Sequence, residues 1–366
     1  MKKEDIKIDG YYFVNLDGDE ELVRVVRAVD NKFIVETMTG RKLPLKLSSF
    51  IDNVTDDIVE DNECDESNLR RSPIGWLGGK GHLKTKNFIL ENMPPHDKYV
   101  EPFGGGASIL IAKKPVSVEI YNDLNSGLVN FFRTVADEES FAKFHNRVSK
   151  LPSSRELFKE FSQTWHLSPD KLDQAVKWFF VARQSFGGMF GSSWAISVNS
   201  SNSGKSMNVA SWLSSVNRLP DVHARMQRVT IENSDWRNIL KSYSGSGWLA
   251  YCDPPYATDT RKAGKYKHEL DNKDHVDLVQ AFLKYDGAIM LSGYDTPMYK
   301  PLIDAGWDKK ELSVVCTAAG RTRASGLQGT GKVSEEQKRV EVLWRNPEAM
   351  KRIEDEKNRK KAPSLF

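Results

Sequence analysis

The chain has 366 residues, enough for a large catalytic domain and a small second domain, and its 39% hydrophobic content suffices for a core. Its three cysteines have no metal-type spacing and form no disulfide framework, which fits a reducing cytoplasm. No apolar run approaches the length that spans a bilayer, and no apolar stretch follows the charged N-terminus as in a signal peptide. We therefore expect a cytoplasmic protein.

The formal net charge of +3 conceals an uneven distribution. Residues 1–70 carry 10 lysines and arginines against 17 acidic residues, whereas the rest of the chain carries 43 against 33. A basic excess is expected of a protein that neutralises phosphates, although it also occurs in proteins that never contact nucleic acid.

The first 51 residues contain three β-type segments, at 11–14, 22–29 and 32–38, separated by turn signals. They predict a small β-barrel-like module or curled sheet over residues 1–51. Residues 52–66 then hold eight acids and no lysine or arginine, which predicts a flexible acidic linker over 52–69. A small barrel can contact nucleic acid, but the negative charge argues against tight contact with a phosphate backbone. A protein-interaction or regulatory role is at least as good a hypothesis for the module.

The segment 99–108 predicts a strand, a turn containing Gly104, Gly105 and Gly106, and then a helix. Glycines there let the backbone approach a ligand closely. The next predicted strand is followed by Asp123, and an acid about twenty residues after such a turn is well placed for ribose hydroxyls. The spacing is not G-x-G-x-x-G, which makes a nucleotide-dependent oxidoreductase an unfavoured alternative.

Residues 124–230 form a long insert. Four of its segments have the apolar spacing of helices: 128–135, 139–149, 155–163 and 170–183. The glycine-rich and aromatic loop at 183–194 follows, and a loop of this kind can lay backbone and rings against nucleotides. We predict DNA contacts in this region from Arg183, Ser185 and Lys205.

The apolar run 248–252 predicts a buried strand that stops at Asp253, Pro254, Pro255 and Tyr256. Two prolines cannot continue a strand ladder, and ligands of open α/β sheets bind at the carboxyl ends of strands. The Asp253 carboxylate and the Pro254 carbonyl can accept the two N–H groups of an aromatic amine, while Tyr256 stacks on its ring. These four residues are the predicted catalytic residues.

Cys252, beside this motif, is predicted to be a small apolar packing residue rather than a nucleophile. A basic flap is predicted at 258–266 and a basic loop at 318–332, and a helix from Asp271 to about Tyr285. Further DNA contacts are predicted from four residues of the flap and the loop, which are Arg261, Lys265, Arg321 and Arg323. Residues 347–366 are strongly charged and predict a solvated tail.

Taken together, these motifs resemble those of the Dam-type adenine-specific DNA methyltransferases, in which the cofactor motif precedes the catalytic motif. The resemblance covers residues 70–346. It rests on the segments 76–80, 101–106, 233–236, 253–256, 291–294 and 341–346, together with Asp123.

The resemblance implies an α/β, Rossmann-like fold with a seven-stranded, mostly parallel sheet, a helical target-recognition insert at 124–230, and S-adenosylmethionine as cofactor. The small N-terminal β module lies outside it. The family's cofactor-binding positions correspond to Trp76, Gly78, Gly79, Lys80, Glu101, Phe103, Gly104, Gly105, Gly106, Asp123, Asp235, Trp236 and Asp253. Among these, Trp76 and Lys80 contact the cofactor and Asp235 binds its adenine amine.

The implied reaction is direct transfer of a methyl group to the N6 amine of an adenine that is flipped out of double-stranded DNA, without a metal or a covalent intermediate. This reaction fits a bacterial or phage restriction-modification or DNA-methylation system. Two alternatives remain open at this point. One is an enzyme that methylates RNA adenine or cytosine amines, and the other is a non-catalytic DNA-binding regulator with the same fold.

Overall fold

The computed structural model of the chain describes residues 11–16, 19–29, 32–37, 42–46, 71–76, 78–196, 201–202, 204–255, 270–315 and 338–361. The chain divides into two compact units, residues 1–65 and residues 66–366.

The first unit contains a four-stranded antiparallel sheet in which neighbours along the chain pair with each other, β1-β2-β3-β4. Its buried side chains include Phe33 and Val35 on the third strand. The strands are β1 (Tyr11–Leu16), β2 (Asp19–Val29), β3 (Lys32–Thr37) and β4 (Lys42–Lys46). The predicted β module is therefore present, and its described strands form an open meander. The fourth strand had no counterpart in the sequence prediction, because Pro44 at its centre argues against a strand.

The second unit is built on a seven-stranded sheet in the order β12-β13-β11-β10-β5-β6-β9. Its strands are β5 (Lys98–Glu101), β6 (Val118–Asn122), β9 (Thr230–Glu232), β10 (Trp248–Cys252), β11 (Ala288–Gly293), β12 (Asp308–Val315) and β13 (Lys338–Arg345). Only β13 among these strands runs opposite to the others, since it pairs antiparallel with both β11 and β12. The predicted seven-stranded, mostly parallel α/β fold is confirmed. A separate two-stranded ribbon consists of β7 (Ser201–Asn202) and β8 (Lys205–Ser206).

All five residues of β10 are buried, because helices cover both faces of the sheet. Leu249 and Tyr251 point into one hydrophobic cluster, and Ala250 and Cys252 point into the other. Cys252 is fully buried and burial raises the pKa of its thiol well above the ordinary value. The prediction that it packs rather than reacts is thus consistent with its surroundings.

The helices of the second unit cover both faces of the sheet. They are α1 (Leu83–Glu91), α2 (Ser108–Ala112), α3 (Ser126–Ala136), α4 (Glu138–Ser149), α5 (Arg155–Thr164), α6 (Lys171–Gln184), α7 (Met207–Asn217), α8 (Leu219–Met226), α9 (Trp236–Ser242), α10 (Asn272–Lys284), α11 (Lys300–Asp304) and α12 (Pro347–Lys361). The helices predicted in the insert and after the catalytic motif are all present, and Asp271 caps α10 in a capping box with Asp274.

The insert helices build much of the core on one face of the sheet. Phe131 on α3 stacks on Phe179 of α6 with 5.3 Å between ring centroids, and Trp178 lies 5.5 Å from the same phenylalanine ring of α3. These rings are buried. The insert is therefore anchored to the sheet by α3 and α6, which fixes the start of the loop that follows α6.

The first fifteen residues of the predicted solvated tail at 347–366 form α12, whose start contacts the sheet and whose other described side chains are exposed or half-buried. Ala349 is buried, and the Arg352 guanidinium donates to the carbonyl of Trp248 at 3.1 Å. Asn346 precedes the helix and bonds its side chain to the backbone of Ile289, Gly287 and Ala349 at 2.8–3.0 Å. Polar contacts, and not an apolar stripe, hold this helix on the sheet. Its charged sequence therefore gave no sign that it packs there.

The strand order reverses at β5. The chain passes from β5 to β6 and β9 on one side and then returns to β10 on the other. The crevice between the carboxyl ends of β5 and β10 is therefore a topological switch point, where open α/β sheets bind ligands.

Candidate active site

A cavity of about 560 Å³ opens at this switch point. Its walls include nearly all the cofactor and catalytic positions predicted within the described residues, which are Trp76, Gly78, Gly79, Lys80, Glu101, Phe103, Gly104, Gly105, Gly106, Asp123, Asp235, Trp236, Asp253 and Pro255. Pro254 is buried and does not line the cavity. Tyr256 lies outside the described residues. Residues that are separated by up to 179 positions in the sequence, from Trp76 to Pro255, thus surround one space.

The glycine turn after β5 is shaped by its neighbours. Gly105 has φ +48° and its amide donates to the Asp123 carboxylate at 2.9 Å. A Cβ at Gly104 would collide with the ring of Tyr121, whose hydroxyl donates to the Gly105 carbonyl at 2.7 Å. A Cβ at Gly105 would lie 3.0 Å from the Trp76 ring. The turn therefore requires glycine at both positions and forms a tight backbone cradle.

Asp123 stands directly after β6, as predicted. One of its carboxylate oxygens accepts the Gly105 amide, and the other accepts the Asn125 amide at 2.8 Å. A carboxylate has further lone pairs after two such bonds, so the same group can also accept from hydroxyls in the cavity. The acid both holds the turn and lines the site.

Lys80 and Asp253 form an ion pair at the end of β10. The Lys80 ammonium lies 2.6 Å and 2.8 Å from the two carboxylate oxygens and also donates to the Gly78 carbonyl at 3.1 Å. The side chains are 5% and 17% exposed. Two hydrogen bonds from one ammonium fix the direction of the carboxylate.

Glu101 is a second acid in the cavity wall and is almost completely buried. Burial raises the pKa of Glu101 to about 8, although the hydrogen bond from the Tyr99 hydroxyl at 2.7 Å favours the ionised form. The charge of Asp253 raises the pKa of Glu101 further. At neutral pH this carboxyl is therefore largely protonated while the neighbouring Asp253 is paired with a lysine.

Asp235 and Trp236 form the opposite wall at the start of α9. The Asp235 side chain caps that helix through the Arg237 amide at 2.8 Å and pairs with the Arg237 guanidinium at 3.2 Å. The Trp236 ring is buried against Phe103, with 6.2 Å between ring centroids. The two rings give this part of the cavity flat apolar surfaces.

The insert contributes aromatic walls that the sequence interpretation did not assign to the site. Trp165, Trp178 and Phe190 all line the cavity, and the last two stack with 5.3 Å between ring centroids. Trp178 also lies 6.0 Å from Trp76. The glycine-rich loop after α6 was predicted to approach a nucleotide, and that was the only available signal for Phe190.

Of the residues predicted to contact DNA, Ser185 has an internal role. It is buried, donates to the Val181 carbonyl at 2.7 Å and accepts from the Gly191 amide at 2.8 Å. Arg183 is held by serines of α7 and also lines a second, smaller cavity. Lys205 is exposed, as a DNA contact requires. The other four predicted contacts, Arg261, Lys265, Arg321 and Arg323, lie outside the described residues.

Within the described residues there is no group of three or more metal-ligating side chains. The same part of the chain contains no helix that is long and apolar enough to cross a membrane.

Comparison with known proteins agrees with this arrangement. A family model described as D12 class N6 adenine-specific DNA methyltransferase matches residues 76–311. The chain is also 24% identical over 229 residues to a DNA N-6-adenine-methyltransferase of Escherichia phage P1. That match covers 59% of this chain and 29% of the phage protein, so the chain spans under a third of that relative's length.

Proposed function

The chain belongs to the family of D12 class N6 adenine-specific DNA methyltransferases, and on that premise we propose that it transfers a methyl group from S-adenosylmethionine to the N6 amine of adenine in double-stranded DNA. The observation that carries this proposal is the single cavity that joins the glycine turn of β5, Asp123 after β6 and Asp253 after β10.

The cavity suits S-adenosylmethionine in shape and in chemistry. The cofactor has hydroxyls and an amine to donate, an ammonium and a sulfonium that are cationic, and a flat adenine ring. The walls supply carboxylates from Asp123, Asp235 and Asp253, and they supply apolar rings from Trp236 and Phe103. Gly104 and Gly105, where a Cβ would collide with the rings of Tyr121 and Trp76, line the cavity with bare backbone that a ligand can approach closely.

We assign the cofactor's parts to this chain by that chemistry. Asp123 accepts the ribose hydroxyls, Asp235 accepts the adenine amine, and Trp76 and Lys80 face the amino-acid end. When bound, S-adenosylmethionine supplies an electrophilic methyl group. The chain's own task is to hold the acceptor nitrogen in line with that methyl, and alignment of this kind is a large part of the rate.

Asp253 is the residue that grips the acceptor amine. Its carboxylate accepts one N–H, and the Pro254 carbonyl accepts the other, which favours the pyramidal nitrogen that attack requires. Lys80 orients the carboxylate beforehand through its two short hydrogen bonds. Tyr256 stacks on the base in this proposal.

The target base must leave the duplex, because its amine is otherwise paired and inaccessible. The aromatic and glycine-rich end of the insert, with Phe190 and Met189 in the cavity wall, lies beside the site where such a base would enter. Exposed rings and backbone amides of this loop can replace the stacking that the base loses. The target sequence is set by contacts in this region.

The test is methyl transfer from labelled S-adenosylmethionine to unmethylated genomic DNA by the full-length protein. We expect label in N6-methyladenine after digestion of the duplex, and none with Asp253→Ala. Single-stranded RNA and duplex RNA serve as competing substrates. Preferential labelling of RNA would support the alternative that the enzyme methylates RNA adenine or cytosine amines. Cofactor binding without transfer to any of these nucleic acids would overturn the proposal in favour of a non-catalytic regulator.

A further inference from the structure

A second cavity, of about 270 Å³, adjoins the first. The two share Trp76, Gly79 and Ser108 in their walls. The rest of this wall is strongly basic, since it contains Arg71, His82, Lys86, Arg183 and Arg218. No aspartate or glutamate lines it within the part of the chain that the structure describes.

Arg183, at the end of α6, is largely sheltered from water in this cavity. Its guanidinium donates to the Ser211 carbonyl at 3.1 Å and to the hydroxyls of Ser211 and Ser215. All of these partners are uncharged. Burial lowers the pKa of Arg183 to about 10, and the charge of Arg218 lowers it further.

Arg218 contacts Ser215, one of the two serines that bind Arg183. It donates to the Ser214 hydroxyl at 2.6 Å and to the Ser215 hydroxyl at 3.5 Å. Its Nε is buried without a hydrogen-bond partner in the described structure. Burial lowers the pKa of Arg218, and the charge of Arg71 does so as well. Neither Arg183 nor Arg218 has an ion-pair partner among the described residues.

Buried cations in proteins are normally paired with carboxylates, because an unpaired charge out of water is costly. Here two guanidinium groups repel each other across one serine, and an anion between them would remove that repulsion. The flat guanidinium fork matches the oxygens of a phosphate, which it binds through two parallel hydrogen bonds. The charge of the wall excludes a cation as the occupant.

We infer that this basic cavity binds a phosphate group of the DNA backbone, held by Arg183 and Arg218. The identification of DNA as the source rests on the proposed function. The location supports it, because Arg183 stands immediately before the glycine-rich loop and its Nη1 lies close to Gly75, next to Trp76. A phosphate bound by these two arginines holds the glycine-rich loop after α6 next to the residues that line both cavities.

The test is the salt dependence of duplex binding, measured by fluorescence anisotropy at salt concentrations from about 50 to about 200 mM. For Arg218→Gln we expect the slope of log K against log salt to become shallower by about 0.9, the value of one phosphate contact. Arg218→Lys, which keeps the charge, should retain most of the slope. Arg359→Gln removes the same charge from an exposed site on α12 and should leave the slope unchanged.

The double variant Arg183→Gln with Arg218→Gln should lose no more slope than either single variant, because both arginines hold one phosphate. An unchanged slope in Arg218→Gln overturns the inference even if the wild type methylates DNA. If inorganic phosphate raises the melting temperature of the wild type but not of Arg218→Gln, and the DNA slope is equal in both, the cavity takes a free anion and DNA is excluded as its source. A wild type that binds no duplex overturns the proposed function and the DNA source together.

Discussion

Asp253 and Lys80 form an ion pair in the cavity wall, and the proposed function has the Asp253 carboxylate hold the acceptor amine. We expect Asp253→Ala to lower methyl transfer at least about 100-fold, because no other group at this position can hold the amine. The same change leaves a buried lysine without this carboxylate, so the variant should also unfold at lower urea than the wild type. Turnover and urea unfolding measure the two effects.

Combining Lys80→Met with Asp253→Ala separates the loss of activity from the loss of stability. This double variant should regain stability over Asp253→Ala without regaining activity. Asp304→Ala, which removes an exposed acid on α11, is the matched control and should change neither quantity. Near-normal turnover in Asp253→Ala would contradict the proposed role of the carboxylate.

Glu101 should make the stability of the protein depend on pH. Its pKa is raised from the ordinary value of 4.5 to about 8 in the folded chain, mainly by burial. Between these two values the unfolded chain loses the proton while the folded chain keeps it, so stability is fully present below about 4.5 and falls as pH rises to about 8. The Glu101→Gln variant has no carboxyl group at this position, so it does not lose stability in this way as pH rises. Relative to the wild type, we expect it to gain stability steadily from pH 5 to pH 8 in urea unfolding.

The control for Glu101 is Glu354→Gln, an exposed acid on α12. The difference in unfolding free energy between Glu354→Gln and the wild type should not vary over the same pH range. A parallel pH dependence of Glu101→Gln and the wild type would show that Glu101 is ionised in the folded protein at neutral pH.

Asp123 holds the glycine turn and, in the proposed function, the ribose of the cofactor, so its loss should affect cofactor binding more than DNA binding. Asp123→Ala removes a charged acceptor of ribose hydroxyls, and such a hydrogen bond contributes about 1.5–3 kcal/mol. Isothermal calorimetry should show that much weaker S-adenosylmethionine binding, while duplex affinity stays within a few-fold. Unchanged cofactor affinity would refute the assignment of Asp123.

At the scale of the elements, α12 depends on single polar contacts with the sheet. Arg352 donates to the Trp248 carbonyl at the start of β10, whereas Arg359 on the same helix bonds, among the described residues, to the Asp355 carbonyl within that helix. We expect Arg352→Ala to lower the free energy of unfolding by about 1.5–3 kcal/mol, the range for a charged hydrogen bond. Arg359→Ala should have little effect. Equal urea midpoints for the two variants would mean that α12 does not support the sheet.

The sheet and its catalytic end could be predicted because their signals are local. The run 248–252 is apolar at every position since both faces of the strand are covered, and the prolines after it mark its end. The glycine turn was equally visible, because the ring of Tyr121 and the ring of Trp76 leave no room for a Cβ. A local requirement of this kind leaves its mark at one position in the sequence.

Features that depend on tertiary contacts could not be predicted in the same way. Trp165 and Trp178 have the spacing of core residues, and only the folded insert brings them to the cavity. Ser185 looked like a polar loop residue, yet it closes a turn inside the protein. The burial of Ser185 arises from the closure of the loop after α6, and the serine contacts of Arg183 arise from the packing of α6 against α7. Residue types alone specify neither.

At the scale of the whole molecule, the chain separates into an N-terminal unit and a family-like unit. The boundary lies between residues 65 and 66, and the family model begins at residue 76. The proposed organisation keeps residues 1–51 as the β module, 52–69 as an acidic linker and 70–346 as the methyltransferase domain. The structure extends the last of these through α12, which packs on its sheet. We propose a protein partner for the β module, since the linker and module together are acidic.

Deletion of residues 1–66 tests that organisation. The truncated protein should keep most of its turnover on a short duplex, because every described residue of the cavity lies at or after Trp76. It should also bind DNA at least as tightly at low salt, since it loses acidic residues that repel phosphates, and the difference should disappear as salt screens them. The comparison is turnover and affinity at several salt concentrations, full-length against truncated protein, on one substrate. A truncated protein that is folded by circular dichroism and yet inactive would place the N-terminal unit within the catalytic or DNA-binding machinery.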